Sequence, residues 1–425
     1  MIKSLVASCL LLILLFPVFL EAQELPSYQK YQGPIKPGVE ITQDNFNTYL
    51  PELKKLLPPV ILKWMSQGLK EGLITMPIVE NINDPLSKGM VEATRKYEGT
   101  ARLLDNNQLA DWVAGIPFPE PKNVLELAWN CYPTISRTGN HDDSFMPAWL
   151  GLFQGTKYQK GFSWAEYNRR YRGRTDIPPL GDMREFKERN ICQKETILVT
   201  NPHEVRGFIQ LRTRYWDVDK PDECYGYIPA IRRIRRMTGS DLTDPLLGSD
   251  YCPDDGEIWR QKMTSRMRFR ALAYQDFLVT RIYFGSKNKP PYDYHKTGSC
   301  FQAQWQIKPL WVVEVMMNDK NYIYSKRLLY IEGVPLEQNG NYSLHWGETF
   351  DQRGRLFKGA GFGARYDNGM GMRTLFSWIY VNALNNHCTV IDGHPSFDPG
   401  EDFQKTFPLN ESKAFSIKGL LRGSR

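Results

Sequence analysis

A chain of 425 residues, 41% hydrophobic and 24% charged, carries ample material for a core, which excludes a disordered protein and leaves room for one large or two medium domains. The formal charge of +7 is the difference between 54 basic and 47 acidic residues. So modest an excess matters by where it clusters, and no recognised nucleic-acid module accompanies it.

Residues 1–22, "MIKSLVASCLLLILLFPVFLEA", hold one lysine, an apolar run from Leu10 to Leu20 and a small-residue end at Ala22. That pattern predicts a cleavable secretory signal. The run is shorter than the ~20 apolar residues a spanning helix needs, and Cys9 precedes it, which argues against a lipidation box. No later stretch is long and apolar enough to span as a helix, so the mature chain is expected to be an exported, soluble protein. Of the seven cysteines, Cys9 would leave with the signal. The other six, Cys131, Cys192, Cys224, Cys252, Cys300 and Cys388, form no CxxC pair and are even in number, so in an oxidising compartment disulfides are expected rather than a metal site.

After a Pro/Gly-containing leader at 23–40 comes a helical segment at 41–75. Leu53, Leu56 and Leu57, then Ile61, Met65 and Leu69, recur at helical spacing, with Thr42 as N-cap and Pro58-Pro59 separating two helices. From about Glu195 onward the period changes to two. "RGFIQLRTRYW" alternates Ile209, Leu211, Thr213 and Tyr215 with Gln210, Arg212 and Arg214, giving one oily and one basic face. "MTSRMRFRALAY" puts Met263, Met267, Phe269 and Ala271 on one side and Arg266, Arg268 and Arg270 on the other.

Between these runs, "YGYIP" and "IRRIRRM" read as a hairpin turning at Pro229-Ala230, although Ile231, Ile234 and Met237 at spacing three also suit a helical turn. As a hairpin, Arg232 and Arg236 share one face with Ile234, and Arg233 and Arg235 share the other with Ile231 and Met237. Both faces cannot be dry. Water, an anionic ligand or the aspartates Asp241, Asp244, Asp250, Asp254 and Asp255 must meet these guanidinium groups. A merely solvated, edge-protecting face is the plain alternative.

Further strands are expected at "FQAQWQI", "LWVVEVMM", "RLLYIEG", "NYSLHW" and "GRLFKG", with Asp351 to Gly354 as a hairpin connection whose glycine takes positive φ. Strand following strand with few helices between implies an α+β fold with an antiparallel sheet, in one domain over 41–400, and a basic tail at 401–425.

Catalytic signatures are weak. "GAGFGA" (359–364) is not followed by a helix, as a dinucleotide fingerprint requires, and reads as a bulged or turning strand. "HDDS" (141–144) and "HCTVIDGH", with His387, Asp392 and His394, lack the spacing of a helical zinc-binding pair, and no GxSxG elbow occurs. Neither catalytic residue nor metal ligand nor cofactor is assigned. A lipid-modifying hydrolase built on His387, Asp392 and His394 would require them to converge in one pocket.

Several stretches together carry a resemblance: "PFPEPKNVLELAWN" (117–130), "YGYIPAIRRIRRMTGSD" (225–241), "LLGSDYCPDD" (246–255), "WVVEVMMNDKNYIYSKRLLYIE" (311–332) and "ETFDQRGRL" (348–356). From roughly Ile41 to beyond Asp392 the chain resembles a periplasmic family of unknown function that is outer-membrane lipoprotein-sorting-protein-like. The resemblance implies a LolA/LolB-like fold, a strongly curved antiparallel sheet forming an unclosed half-barrel whose apolar concave face is covered by helices. It implies a periplasmic carrier or chaperone for a lipid, acyl chain or lipoprotein, peripherally associated with the outer membrane. It also implies partners among resistance-nodulation-division class transporters and outer-membrane barrel proteins. A ligand-free docking subunit of such a complex is the alternative. On this reading Ile209, Leu211, Tyr215, Tyr225, Tyr227, Met267, Phe269, Trp311 and Val313 line an apolar cavity. Arg232, Arg233, Arg235 and Arg236 then hold an acidic headgroup or partner.

Overall fold

A computed structural model of the protein describes residues 25–83, 86–134, 142–237, 243–258, 263–281, 294–300, 302–334, 341–367, 372–393 and 410–423. The first helices are α1 (Phe46–Leu56) and α2 (Pro59–Lys70), parted where expected, with Pro59 opening the second. Proline is tolerated there because the first turn has no intrahelical use for its missing N–H. The N-cap of α1 is Asn45 rather than Thr42; the Thr42 N–H donates instead to Asn45 Oδ1 at 2.8 Å. Two further helices, α3 (Lys88–Tyr97) and α4 (Val124–Thr134), precede the long strands.

The strands form one 14-stranded sheet. Its members are β1 (Tyr28–Gln29), β6 (Asp143–Gln154), β7 (Lys157–Arg170), β8 (Ile191–Asn201), β9 (Ile209–Tyr215), β10 (Glu223–Ile228), β11 (Arg233–Met237), β12 (Met267–Arg281), β13 (Gln304–Met317), β14 (Tyr324–Glu332), β15 (Leu344–Asp351), β16 (Leu356–Asp367), β17 (Met372–Asn382) and β18 (His387–Gly393). Two small ladders stand apart, β2 (Glu40–Ile41) with β3 (Met76–Pro77) and β4 (Arg102–Leu103) with β5 (Leu109–Ala110). The order in the large sheet is β1-β12-β13-β14-β15-β16-β17-β18-β6-β7-β8-β9-β10-β11. All neighbours are antiparallel except β1 on β12. The sheet is curved and unclosed, an open half-barrel with β1 and β11 as its ends. β6 and β7 begin the regular strands well before Glu195, and the two strands expected around Gln304 and Trp311 are a single one, β13, running through Pro309.

The resemblance implied one covered apolar face; here both are covered. Along β13, β14 and β17 the side chains alternate between two cores. Trp311, Val313, Leu329, Ile331, Trp378 and Tyr380 join a cluster with Leu127, Ala128 and Trp129 of α4. Leu310, Val312, Tyr330, Ile379 and Val381 join Leu53, Leu56, Ile61, Met65 and Leu69 of α1 and α2 on the opposite face. We call these the α4 face and the α2 face. The helical stripe expected of α1 and α2 is the buried one, with Leu53, Ile61, Met65 and Leu69 all at 0% exposure.

The glycine run of "GAGFGA" lies in β16, with a register shift between Gly363 and Ala364. A Cβ at Gly359 would stand 1.8 Å from Val60 Cγ1 of α2, and one at Gly361 would stand 2.5 Å from Trp346. These glycines let a helix and an indole rest on the backbone of a strand. Gly354 takes φ +73° in the β15–β16 turn, as expected.

Residues 410–423 fold back rather than trail as a tail. Helices Glu411–Ala414 and Ile417–Gly423 lie on the α2 face at β7–β9, where Ala414 and Phe415 are buried against Tyr167 and Leu211. The Thr196 hydroxyl donates to Ala414 O at 2.9 Å. The disulfide expectation is corrected: Cys131, Cys192, Cys224, Cys252, Cys300 and Cys388 are all buried thiols rather than half-cystines. Burial pushes the Cys300 thiol up to about 12, so it behaves as a small apolar side chain.

Candidate functional site

An open groove of about 800 Å³ runs beside α2. The outward stripe of that helix, Lys63, Gln67 and Lys70, lies three to four residues apart and forms one wall; Leu50, Lys54 and Leu57 of the α1 segment form the other. Leu57 and Leu62 give an apolar floor, and Asn386 of the β17–β18 turn closes one end. Lys54, Lys63 and Lys70 are exposed at the rim, against one carboxylate, Glu71. Glu71 is held by Gln67 Nε2 at 3.1 Å and by the Thr156 hydroxyl at 2.8 Å. Lys63 Nζ donates to Ala383 O at 3.1 Å, and Lys70 Nζ stands 5.7 Å over the Phe46 ring. Volume and lining fit an amphiphile with a negative end.

The floor is anchored to the sheet. Glu348 of β15 accepts from the Val60 N–H at the start of α2 (3.1 Å) and from the Tyr330 hydroxyl (3.0 Å). Burial pushes its carboxyl above the usual range, with those two hydrogen bonds opposing.

The α4 face holds a different assembly. Asp254 and Asp255, from the "GSDYCPDD" segment, sit against strand cations. Asp255 Oδ2 accepts from Lys358 Nζ at 2.9 Å and from the Tyr324 hydroxyl at 2.7 Å, with Arg327 Nη1 3.7 Å from its other oxygen. Burial alone would raise this carboxyl, but Lys358 and Arg327 hold it below its ordinary value. Arg212 Nε donates to Asp222 at 2.9 Å, Nη1 to Pro253 O at 2.9 Å and Nη2 to Asp254 at 3.3 Å. Asp250 Oδ2 meets His387 Nδ1 at 2.5 Å and accepts from the Thr389 hydroxyl at 2.9 Å.

These contacts revise one expectation. The arginine side of β9 is buried as well as the apolar one: Arg212 and Arg214 are 4% and 8% exposed, because the aspartate segment and Asp222 cover them. That segment is tied over the sheet by Arg212, Arg327, Lys358 and His387. Asp241 lies outside the described residues.

The hairpin forms with a 3₁₀ turn at Pro229–Ile231, and Arg232 takes φ +50° before β11 starts. Arg233 and Arg235 share the α4 face with Met237, and Ile234 and Arg236 share the α2 face, as alternation requires. Arg232, Arg233, Arg235 and Arg236 are all exposed.

The nine proposed cavity residues divide between the two faces. Met267, Phe269, Trp311 and Val313 belong to the α4-face core. Ile209, Leu211, Tyr215, Tyr225 and Tyr227 point to the other side, where Leu211 packs on Phe415 and Tyr215 joins Tyr171, Phe186 and Ile191. The three groove lysines were missed, though their signal was present: Lys63 and Lys70 are seven residues apart on the complement of the leucine stripe. His387 and Asp392 of β18 are five residues apart and so face opposite sides, and His394 lies outside the described residues.

Among solved structures, one of a DUF1329 family protein from Desulfovibrio piger ATCC 29098 is 16% identical, covering 69% of this chain and 96% of its own, with a TM-score of 0.46. A putative outer membrane lipoprotein-sorting protein domain from Vibrio parahaemolyticus is 15% identical over 63% of this chain and 88% of its own, with a TM-score of 0.43. The LolA superfamily protein NE2245 from Nitrosomonas europaea is 14% identical over 63% and 90%, with a TM-score of 0.38. No curated protein matches the chain. Residues 40–420, nearly the whole chain, match the family described as "Protein of unknown function (DUF1329)", and the protein belongs to that family.

Proposed function

We propose that the protein is an exported, periplasmic carrier that holds an apolar molecule with an acidic end, such as a fatty acid or the acyl chain of a lipid or lipoprotein, in the groove beside α2. The observation that carries this reading is the combination of an apolar floor at Leu57 and Leu62 with a rim of Lys54, Lys63 and Lys70 in an open space of about 800 Å³. Each methylene moved from water to such a floor is worth about 0.8 kcal/mol, while the lysines meet the acidic end without being desolvated. Release then needs no chemistry. The exported signal-like leader at 1–22 supports a site of action between membranes, and no helix among the described residues is long and apolar enough to cross one.

The test is titration of the exported protein with a fluorescent fatty acid, alongside native mass spectrometry after gentle purification. Saturable uptake, weakened at least tenfold by K54Q/K63Q/K70Q and restored by lengthening the acyl chain, is the expected result. Failure to take up the probe, or uptake indifferent to the lysines, would remove the groove from consideration.

A further inference from the structure

The hairpin of β10 and β11 lies at the far end of the sheet from β1 and outside the groove. Its turn presents Ile231, 58% exposed, and the strand beyond presents Ile234, 56% exposed. Large aliphatic side chains so exposed are ordinary singly, but these two stand three residues apart among arginines. Register places Tyr227 beside Ile234 and Tyr225 beside Arg236 on the same face, with both tyrosines half-buried. Between Tyr225 and Met237 there is no acidic residue. The described aspartates of the neighbouring segment that are buried, Asp250, Asp254 and Asp255, are bonded to His387, Arg212 and Lys358.

We infer that this hairpin docks the protein on an anionic lipid bilayer. Isoleucines at the tip enter the boundary between headgroups and acyl chains, tyrosines lie at headgroup level with ring inward and hydroxyl outward, and Arg232, Arg233 and Arg236 reach the phosphates. Charge complementarity selects the occupant. A protein strand adding to β11 is disfavoured by the same residues: three of the five positions of Arg233–Met237 are arginine, and charged edge strands resist pairing. A bilayer asks nothing of the strand's backbone and rewards each cation near its surface.

The experiment is flotation of the exported protein with phosphatidylglycerol/phosphatidylethanolamine vesicles and, separately, with phosphatidylcholine vesicles. Binding to the anionic vesicles alone is expected, weakening as salt rises. R232Q/R233Q/R236Q should lower the partition on the order of a hundredfold, and I231S/I234S should lower it at every salt concentration. A dye placed through Ile231→Cys should shift blue on anionic vesicles; the native cysteines are buried, so labelling is selective. Equal binding to both vesicle types, full binding by the arginine variant, or no shift of the dye overturns the proposal. Arginine-dependent capture of poly-glutamate in place of vesicles overturns it in favour of an acidic protein. The groove variant K54Q/K63Q/K70Q should float as the parent does, which separates failure here from failure of the carrier reading.

Discussion

The start of α2 and the Asp250–Asp255 segment both close down on the sheet, on opposite faces, and they do so with opposite electrostatics. At α2 a single carboxyl, Glu348, meets a backbone N–H and a tyrosine hydroxyl, and burial raises its proton affinity. At the aspartate segment the carboxylate of Asp255 meets Lys358 and Arg327, and these cations lower it. Burial raises both carboxyls; at Glu348 it prevails over two opposing hydrogen bonds, whereas at Asp255 two cations outweigh it. Glu348 therefore holds its proton more tightly than a free carboxyl, and Asp255 less tightly.

The comparison is broken most severely by removing the aspartate. Asp255→Ala takes the shared carboxylate away from Lys358 and from the fully buried Arg327, and truncating one partner of a buried pair costs about 3–5 kcal/mol. Denaturant unfolding should show a loss of that size. Because the folded-state affinity of Asp255 for its proton is lowered, its stabilisation is present above the ordinary carboxylate range and disappears as pH falls through the folded value. The variant should accordingly lose most at neutral pH and least in acid. A cost under about 1 kcal/mol would mean water already compensates the cations.

Next comes the helix side, where apolar packing rather than charge sets the scale. Leu53→Ala, at a position with 0% exposure between α1 and the sheet, should cost about 3 kcal/mol at every pH. A pH-dependent loss there would show that the two faces unfold as one electrostatic unit.

Glu348→Gln gives an effect of the other sign. Burial raises the Glu348 carboxyl in the fold, so its contribution is fully present below the unfolded value and is lost as pH rises through the folded one. Glutamine keeps an acceptor for the Val60 N–H and carries no charge. Melting followed from about pH 4 to about pH 8 should show the variant equal to the parent in acid and more stable above neutrality. Destabilisation at neutral pH would show that the ionised carboxylate is the form α2 requires.

These contrasts also explain what was legible in the chain. The leucine stripe of α1 and α2, the alternation in β9 and β12 and the bulged glycine run all follow from local period, because each side chain's face depends only on its neighbours. Whether one face or both are covered does not. "RGFIQLRTRY" alternates perfectly, yet its arginines are inside, since Asp222 and Asp254, 8 to 42 residues away, supply the countercharges. The joining of two expected strands into β13 was hidden by Pro309, and the early strands β6 and β7 by their mixed polarity. The groove could be read only in part, because its lysines needed α1 and α2 to be set side by side before they formed a rim.

The smallest expected effect concerns arginines again, and it sharpens the comparison by holding residue type constant. Arg212 donates to two aspartates and a carbonyl at 4% exposure, whereas Arg233 and Arg236 are exposed on the end strand. An exposed guanidinium keeps its water when folded, so its removal leaves no desolvated countercharge behind. Arg233→Gln and Arg236→Gln, singly or together, should change unfolding free energy by no more than about 0.5 kcal/mol. Arg212→Gln, which removes one of the two guanidinium groups on buried Asp222 and the one on Asp254, should cost several times that. Thermal melts of the two sets in one buffer make the measurement. If the hairpin arginines proved as costly as Arg212, β11 would be held by ion pairs of its own, and a surface kept for an outside partner would have to be sought elsewhere on the molecule.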